Sequence, residues 1–334
     1  MTAQTINAQV WTPPRMSARA RATTSTLPMP AYTLLPVPGT GPEDVAFDAA
    51  GVLYSGLGDG RIVRSRPGTD TFEVVANTGG RPLGVETVPD GTLVVSDAYR
   101  GLLRVDPATG RIDSLLDERQ GYRAGLCNNA AVANDGTIYF SDSSQVYDLA
   151  NHVWDLVDHT GTGRLVRRDP TGAVEVMLDG LHFANGVALA PDESFVLVAE
   201  MGAYRIRRVW LTGPRAGQDE VFVDNLPGFP DNLSTGSDGR FWLALPTPRM
   251  PVLDWAHRKP GFVRRALWRL PAALVPPTPR TMWVLGLDTD GATVVDLQAS
   301  GDAFHMVTGV GEHAGLLYLG SIVEPAIAVV PLPG

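Results

Sequence analysis

The sequence predicts an all-β protein: a six-bladed β-propeller with four-stranded blades and one helical, lid-like insertion. Two observations carry this reading. From Tyr32 onward the chain is a succession of short runs rich in Val, Ile, Leu, Tyr and Phe, separated by Gly, Asp, Asn and Pro turns, such as VLYSG, TLVVSD, TIYFSD, FVLVAE and RIRRVWL. One unit also repeats six times: PEDVAFDAAGVLYSG from Pro42, PLGVETVPDGTLVVSD from Pro82, NNAAVANDGTIYFSD from Asn128, ANGVALAPDESFVLVAE from Ala184, LPGFPDNLSTGSDGRFW from Leu226 and MVTGVGEHAGLLYLGS from Met306. Self-similarity at a few tens of residues marks a repeat architecture. Within each unit the order is a lead strand, a DG-type turn, an apolar strand, and an Arg-rich strand that often ends in Asp-Pro. Four strands in each of six units give a ring of radial sheets about a central channel. A β-sandwich is the alternative, but it uses fewer strands than this chain repeats.

Residues 1–30 read as a loose N-terminal arm, because Pro13, Pro14, Pro28 and Pro30 spoil helix and strand alike. Residues 31–334 then form a single propeller domain. Two insertions interrupt it. Gln145 to Gly163 carries Tyr147, His152, Trp154 and His159. Pro246 to Arg280 carries FVRRALWRLPAAL, in which Phe262, Leu267 and Leu270 alternate with Arg264, Arg265 and Arg269. Three readings of the second insertion stand open: a lid over the channel mouth, a membrane-surface helix, or a helix packed on a blade edge.

The site follows from the repeats. Aligned on the turn residues Gly51, Gly91, Gly136, Glu193, Gly239 and Gly315, the units place Glu43, Leu83, Asn128, Asn185, Asp231 and Val307 eight residues earlier. Equivalent positions in a closed ring lie at equivalent distances from its axis, so four oxygen-bearing side chains converge there. Singly, each has a dull explanation in turn chemistry. Together, at one offset, they form a set, and strand interiors are poor places for Asn and Asp without a reason. The set offers oxygen only, which disfavours zinc, and its two carboxylates balance a divalent cation. Calcium, which takes six to eight oxygens in irregular geometry, suits it better than magnesium.

Such a cation would act as a Lewis acid toward a small molecule in the channel, the chemistry of lactone or ester hydrolysis. Asp231 is the candidate base. His182, three residues before Asn185, is a second candidate for proton transfer. Asn129 and Asn232 are expected to orient a substrate oxygen or complete the metal shell, and Phe229 and Thr308 are further candidates for substrate contact.

Composition bounds the rest. The chain has 334 residues, 44% of them hydrophobic and 19% charged, as in a globular protein with a sizeable core. A net charge of −9 without a basic stripe argues against nucleic acid. Cys127 is the sole cysteine, which excludes an internal disulfide framework and a Cys/His metal site. No stretch approaches the roughly 20 apolar residues of a spanning helix, and residues 1–30 lack the apolar run of a signal peptide, so a cytoplasmic location is expected. Neither a G-x-S-x-G elbow nor a G-x-G-x-x-G fingerprint stands in its structural context.

RPLGVETVPDGTLVVSDAYRGLLRVDP, DGLHFANGVALAPDESFVLVAE, DNLPGFPDNLSTGSDGRFWLAL and EHAGLLYLGSIVEP resemble the strictosidine synthase-like branch of the calcium-dependent six-bladed propellers. More distantly the chain is similar to the regucalcin, gluconolactonase and paraoxonase families. The resemblance runs from about Pro36 to the C-terminus. It implies an axial Ca²⁺ held by Glu, Asn, Asn and Asp, which fall on Glu43, Asn128, Asn185 and Asp231. In the hydrolytic relatives it implies lactonase, arylesterase or organophosphate-hydrolase activity. Alternatives are a binding or structural propeller and a synthase of secondary metabolism. The plant synthases carry a catalytic Glu four residues before the Glu-His pair of the last blade. Here Glu312-His313 is preceded at that distance by Thr308, so a condensation on that plan lacks its acid.

Overall fold

In the computed structural model, which describes residues 8–22, 25, 27–116, 122–270 and 278–333, the chain is a six-bladed β-propeller. Blades 1 to 4 follow chain order, each an antiparallel meander with its first strand innermost. Those innermost strands are Val45–Phe47, Pro82–Thr87, Cys127–Val132 and Ala184–Leu189, and Leu233–Thr235 and Val307–His313 complete the ring. The six turn residues that anchored the sequence alignment share one conformation. All have positive φ, from 55° at Glu193 to 85° at Gly239. Each closes a tight turn between the first two strands, where glycine has no Cβ to clash. Glu193 is tolerated there with its carboxylate accepting from the Asn134 N–H at 2.7 Å in the neighbouring blade.

Strand alternation decides packing. In the second strands Leu93–Asp97, Ile138–Asp142 and Phe195–Glu200 every residue is buried, as expected of strands covered on both faces by adjoining blades. The core is therefore a circle of inter-blade clusters rather than one central mass. The largest spans blades 4 and 5, with Phe195, Leu197, Phe241, Leu243 and Trp283.

The ring is closed by a strand the sequence reading did not assign. Thr33–Pro36 pairs antiparallel with Ala326–Pro331, Thr33 opposite Val329 and Leu35 opposite Ile327, so the outer strand of blade 6 comes from the N-terminal side of the chain. Closure in this form covers the edge that the last blade would otherwise expose. The described part of residues 1–30 differs from the loose arm expected. A one-turn helix, α1 (Ala18–Arg21), sets Arg19 over the Trp283 ring at 4.2 Å and 2.9 Å from Asp296. Leu27–Pro28 adds a parallel fifth strand to blade 5. The prolines forbid long elements but permit these short ones.

Both insertions leave from the loop between second and third strands, in blades 3 and 5, and so emerge on the same face. The first holds α2 (His152–Asp158), stopped by His159 at φ 54°. The second holds α3 (Pro251–His257), begun by proline at its first position, and α4 (Gly261–Trp268), preceded by Pro260. The helices bind one another. Buried Arg264 donates to Val157 O at 3.0 Å, Arg265 pairs with Asp158 at 2.8 Å, and a His257 ring nitrogen meets Leu156 O at 2.7 Å. Met250 and Leu253 of the second insertion line the cavity described below, the position that the lid reading expects. The outer face of this lid keeps Phe262 75% and Trp255 48% exposed. No helix among the described residues is long and apolar enough to cross a membrane.

The closing strand yields a stability prediction. Deleting residues 1–36 should lower Tm by about 10 °C or more, whereas deleting residues 1–26 should cost less than half of that. Thermal unfolding followed by circular dichroism checks it, and equal losses would mean that the pairing at Thr33–Pro36 contributes little.

Candidate functional site

The innermost strands carry irregular pairing at one level of the channel. Register shifts fall between Pro82 and Gly84, Cys127 and Ala130, Ala184 and Val187, and Val307 and Gly309. A bulge re-aims side chains that a regular strand would alternate away. This is how consecutive residues such as Asn128 and Asn129 can both serve the channel. Polar pairs enter from blades 1, 3 and 5 as Glu43-Asp44, Asn128-Asn129 and Asp231-Asn232. Blades 2, 4 and 6 present glycine at the same level, at 84, 186 and 309. The glycines make room for the pairs. A Cβ on Gly186 would lie 2.3 Å from Leu233 N and 2.5 Å from Asp231 O, and one on Gly84 would lie 2.8 Å from Asn129 Cα. The girdle thus has threefold character within a sixfold ring.

Second members of the pairs stitch the blades together. Asp44 accepts from Val45 N at 2.9 Å, Val85 N at 3.2 Å and Asn129 Nδ2 at 3.2 Å. Asn129 Oδ1 accepts from Val187 N at 2.8 Å. Asn232 Nδ2 donates to both carboxylate oxygens of Glu43 at 3.1 Å. Asn129 and Asn232 are 1% exposed and do not line the cavity, which corrects their expected role in substrate contact. Asn129 uses both ends of its amide on protein, whereas Asn232 fixes Glu43 through Nδ2 and leaves its buried Oδ1 without a hydrogen-bond partner. Asp44, which the sequence reading passed over, is the centre of this bracing; its signal was its place beside Glu43, parallel to Asn129 beside Asn128.

First members face a cavity of about 250 Å³ above the girdle, lined by Glu43, Asn128, Asn185 and Asp231 at its floor. Leu83 lines it too, as the alignment implies. In blade 6 the aligned Val307 instead packs in the hydrophobic core, and its neighbours Met306 and Thr308 reach the cavity. Thr308 also donates to Glu43 O at 2.7 Å. Phe229, 5% exposed, forms part of the wall.

The floor is electrostatically unusual. Burial, with Asp44 adding repulsion, pushes the Glu43 carboxyl up to about 8, although Arg81 and the Asn232 amide oppose it. Burial likewise lifts Asp44 to about 7. Asp231 is raised well above the usual carboxylate range by burial and then by Glu43. Beside these acids stand two amides turned one way. Asn128 Nδ2 is spent on Ser143 Oγ at 3.0 Å, and Asn185 Nδ2 lies 3.9 Å from Met201 Sδ. The Oδ1 atoms of both are buried without a hydrogen-bond partner. A buried carbonyl oxygen without a donor is costly, and a cation is what such oxygens lack. No cluster of three or more His, Cys, Asp or Glu side chains suited to a metal occurs among the described residues; half of this donor set is amide.

His182 does not belong to the cavity. Its ring stacks on His159 with centroids 3.5 Å apart, and His159 in turn stacks on Trp11 at 4.3 Å. His257 stands 5.0 Å from His159 in the same group, which ties the N-terminal segment to α2 and α3. Burial lowers the pKa of His182, so it is held neutral as a packing element rather than placed to move a proton at the floor. The histidine that does line the cavity is His152, on α2. A ring nitrogen, Nδ1, lies 2.6 Å from Leu149 O. A carbonyl only accepts, so Nδ1 carries the proton and Nε2 keeps its lone pair in the neutral ring. Sequence reasoning could not promote it, because nothing in the insertion's sequence says that α2 folds over the channel.

The likeness to known proteins matches this architecture. Family models described as "Strictosidine synthase" and "Strictosidine synthase-like, N-terminal" match residues 128–214 and 31–65. The adipocyte plasma membrane-associated protein of Rattus norvegicus is 37% identical over 312 residues, 86% of this chain and 82% of that one. Strictosidine synthase-like 13 of Arabidopsis thaliana is 37% identical over 260 residues, 69% of this chain and 64% of that protein. Among solved structures, a gluconolactonase of Xanthomonas campestris superposes with a TM-score of 0.65 at 20% identity, covering 96% and 95% of the two chains. Regucalcin of Agrobacterium tumefaciens, a calcium-binding protein, gives 0.65 at 16% identity over 92% and 96%. These two show the fold alone. Identity above a third across most of both chains, on a propeller whose closing strand and blades 1, 3 and 4 carry the family matches, places this protein in the strictosidine synthase-like family.

Proposed function

We propose that the protein is a Ca²⁺-dependent hydrolase of lactones or small carboxylic esters, with phosphotriesters as a side reaction. One observation carries this reading: two buried amide oxygens without partners and two buried carboxyls share the floor of a lidded cavity. Glu43, Asn128, Asn185 and Asp231 would hold the ion through oxygen, with a combined charge of −2 when both acids are ionised. When bound, the ion supplies Lewis-acid polarisation of a carbonyl or phosphoryl oxygen.

The chain's own groups supply the rest. Asp231 is the carboxylate placed to take a proton from water at an Oδ atom. Asn232 holds the Glu43 carboxylate in a single orientation, and Asp44 and Asn129 fix the neighbouring backbones, so the floor is set before substrate enters. The lid, through Leu149, Val153 and Leu253, keeps bulk water from the carbonyl. His152 Nε2, in the wall, can receive or return a proton at the leaving oxygen.

Three outcomes test this. Asp231→Asn should lower kcat on a lactone or aryl-ester panel by about 10²- to 10³-fold without loss of fold. Glu43→Gln should weaken Ca²⁺ binding by tenfold or more, measured by calorimetry. Turnover that survives chelation, or a Ca²⁺-induced rise in Tm with no turnover on any panel substrate, would leave the hydrolase reading without support.

A further outcome concerns pH. Glu43 and Asp44 have folded pKa values of about 8 and 7 against ordinary values near 4. Groups raised on folding contribute stability below their unfolded pKa and lose it as pH rises through the folded one. The cation-free protein should therefore become less stable between about pH 5 and pH 8, while saturating Ca²⁺ should flatten that slope. The Tm gain on adding Ca²⁺ should be larger at pH 8 than at pH 5.5; equal gains would contradict the assignment of Glu43 to the ion.

A further inference from the structure

Above its floor, the cavity is built almost without polar groups. Its lid side is Leu149, Val153 and Leu156 from the α2 insertion with Met250 and Leu253 from the α3 insertion, and Met201 stands below them. Apart from the four floor residues, the polar side chains in the lining are His152, Thr247, Thr278 and Thr308. Two of these are already committed, His152 Nδ1 to Leu149 O at 2.6 Å and Thr308 Oγ1 to Glu43 O at 2.7 Å. No Arg or Lys among the described residues lines the space. At about 250 Å³ the cavity is smaller than the sites that hold drug-sized ligands.

We infer that the site takes small, apolar, uncharged lactones or esters, with an alkyl or aryl group packed under the lid, and rejects polyhydroxylated sugar lactones. The inference rests on the hydrolase reading for its chemistry but on the walls for its selectivity. A hydroxyl brought under this lid would leave water with only Thr247, Thr278 and His152 Nε2 uncommitted among the wall's polar groups, so most hydroxyls of a sugar lactone would go unpaired, which costs on the order of tenfold in affinity for each. An alkyl chain in the same place gains from leaving water. Methionines at 201, 250 and 306 add side chains that adapt to differently shaped apolar groups. The selectivity therefore opposes that of a sugar lactonase, even though a gluconolactonase shares the fold.

A matched pair of six-membered lactones tests it: δ-octalactone, which carries an alkyl chain, and glucono-1,5-lactone, which carries hydroxyls. The Ca²⁺-supplemented full chain should show kcat/KM at least about 100-fold higher for the former. Binding of 2-pentylcyclopentanone, a carbonyl compound with no leaving group, followed by ligand-observed NMR, reads the walls without chemistry. Val153→Asn, on the partly exposed α2, should weaken that ketone about tenfold and narrow the lactone preference, and Val153→Leu should restore both. Equal or faster turnover of glucono-1,5-lactone would overturn the inference and leave the hydrolase reading intact. Ketone binding that Val153→Asn weakens, with neither lactone hydrolysed, would support the inference and remove the hydrolase reading. Absence of both octalactone turnover and ketone binding would overturn the inference.

Discussion

Everything distinctive about this molecule depends on acids that are almost entirely withdrawn from water. Glu43, Asp44 and Asp231 sit on one level of the channel with at most 6% of their surface exposed. Transfer of a carboxylate from water into such surroundings is opposed unless opposite charge meets it, and without that charge the group neutralises instead. The raised pKa values of Glu43 and Asp44 express that conflict. The proposed divalent ion would resolve it and would also meet amide oxygens that the protein leaves without donors, those of Asn128 and Asn185 at the floor. The propeller makes the conflict possible, because only a closed ring brings residues as distant as Glu43 and Asp231 to one point while the blades shield them.

The girdle is organised around that point. Polar side chains alternate with glycines, so each polar pair leans into the space a neighbouring blade vacates. Asp44 gathers donors from blades 1, 2 and 3, Asn129 receives one from blade 4, and Asn232 reaches across from blade 5 to Glu43. These bonds fix inter-blade spacing as well as side-chain orientation. The floor is thus rigid, whereas the walls above it belong to helices held to each other by Arg264, Arg265 and His257. Floor chemistry and wall selectivity can therefore be altered separately.

Much of this was readable in the sequence because repeats make geometry explicit. Six turn residues with one offset placed Glu43, Asn128, Asn185 and Asp231 in a single cavity before any coordinates, and Leu83 fell at the same level. Blade 6 escaped by one residue: a bulge after Val307 turns that side chain into the core and gives the channel to Thr308. Closure by Thr33–Pro36 was hidden because a four-residue strand ending in proline has no periodicity of its own. His182 was misplaced for a related reason. Distance along a strand lead-in was read as distance to the channel, but the αL backbone of Phe183, at φ 61°, intervenes between His182 and Asn185. Its ring leaves to join a stack that exists only once Trp11, α2 and α3 have assembled. His152 was invisible as a site residue because the lid's position over the channel is a tertiary fact.

Calorimetric titration of the metal-free protein with Ca²⁺, in buffers of differing ionisation enthalpy, tests the central claim most directly. The account predicts one ion bound per chain with net release of protons at pH 7, release that fades above about pH 9 and is reduced in a Glu43→Gln, Asp231→Asn double variant along with the binding itself. Binding without proton release, or binding of unchanged strength in the double variant, would contradict it.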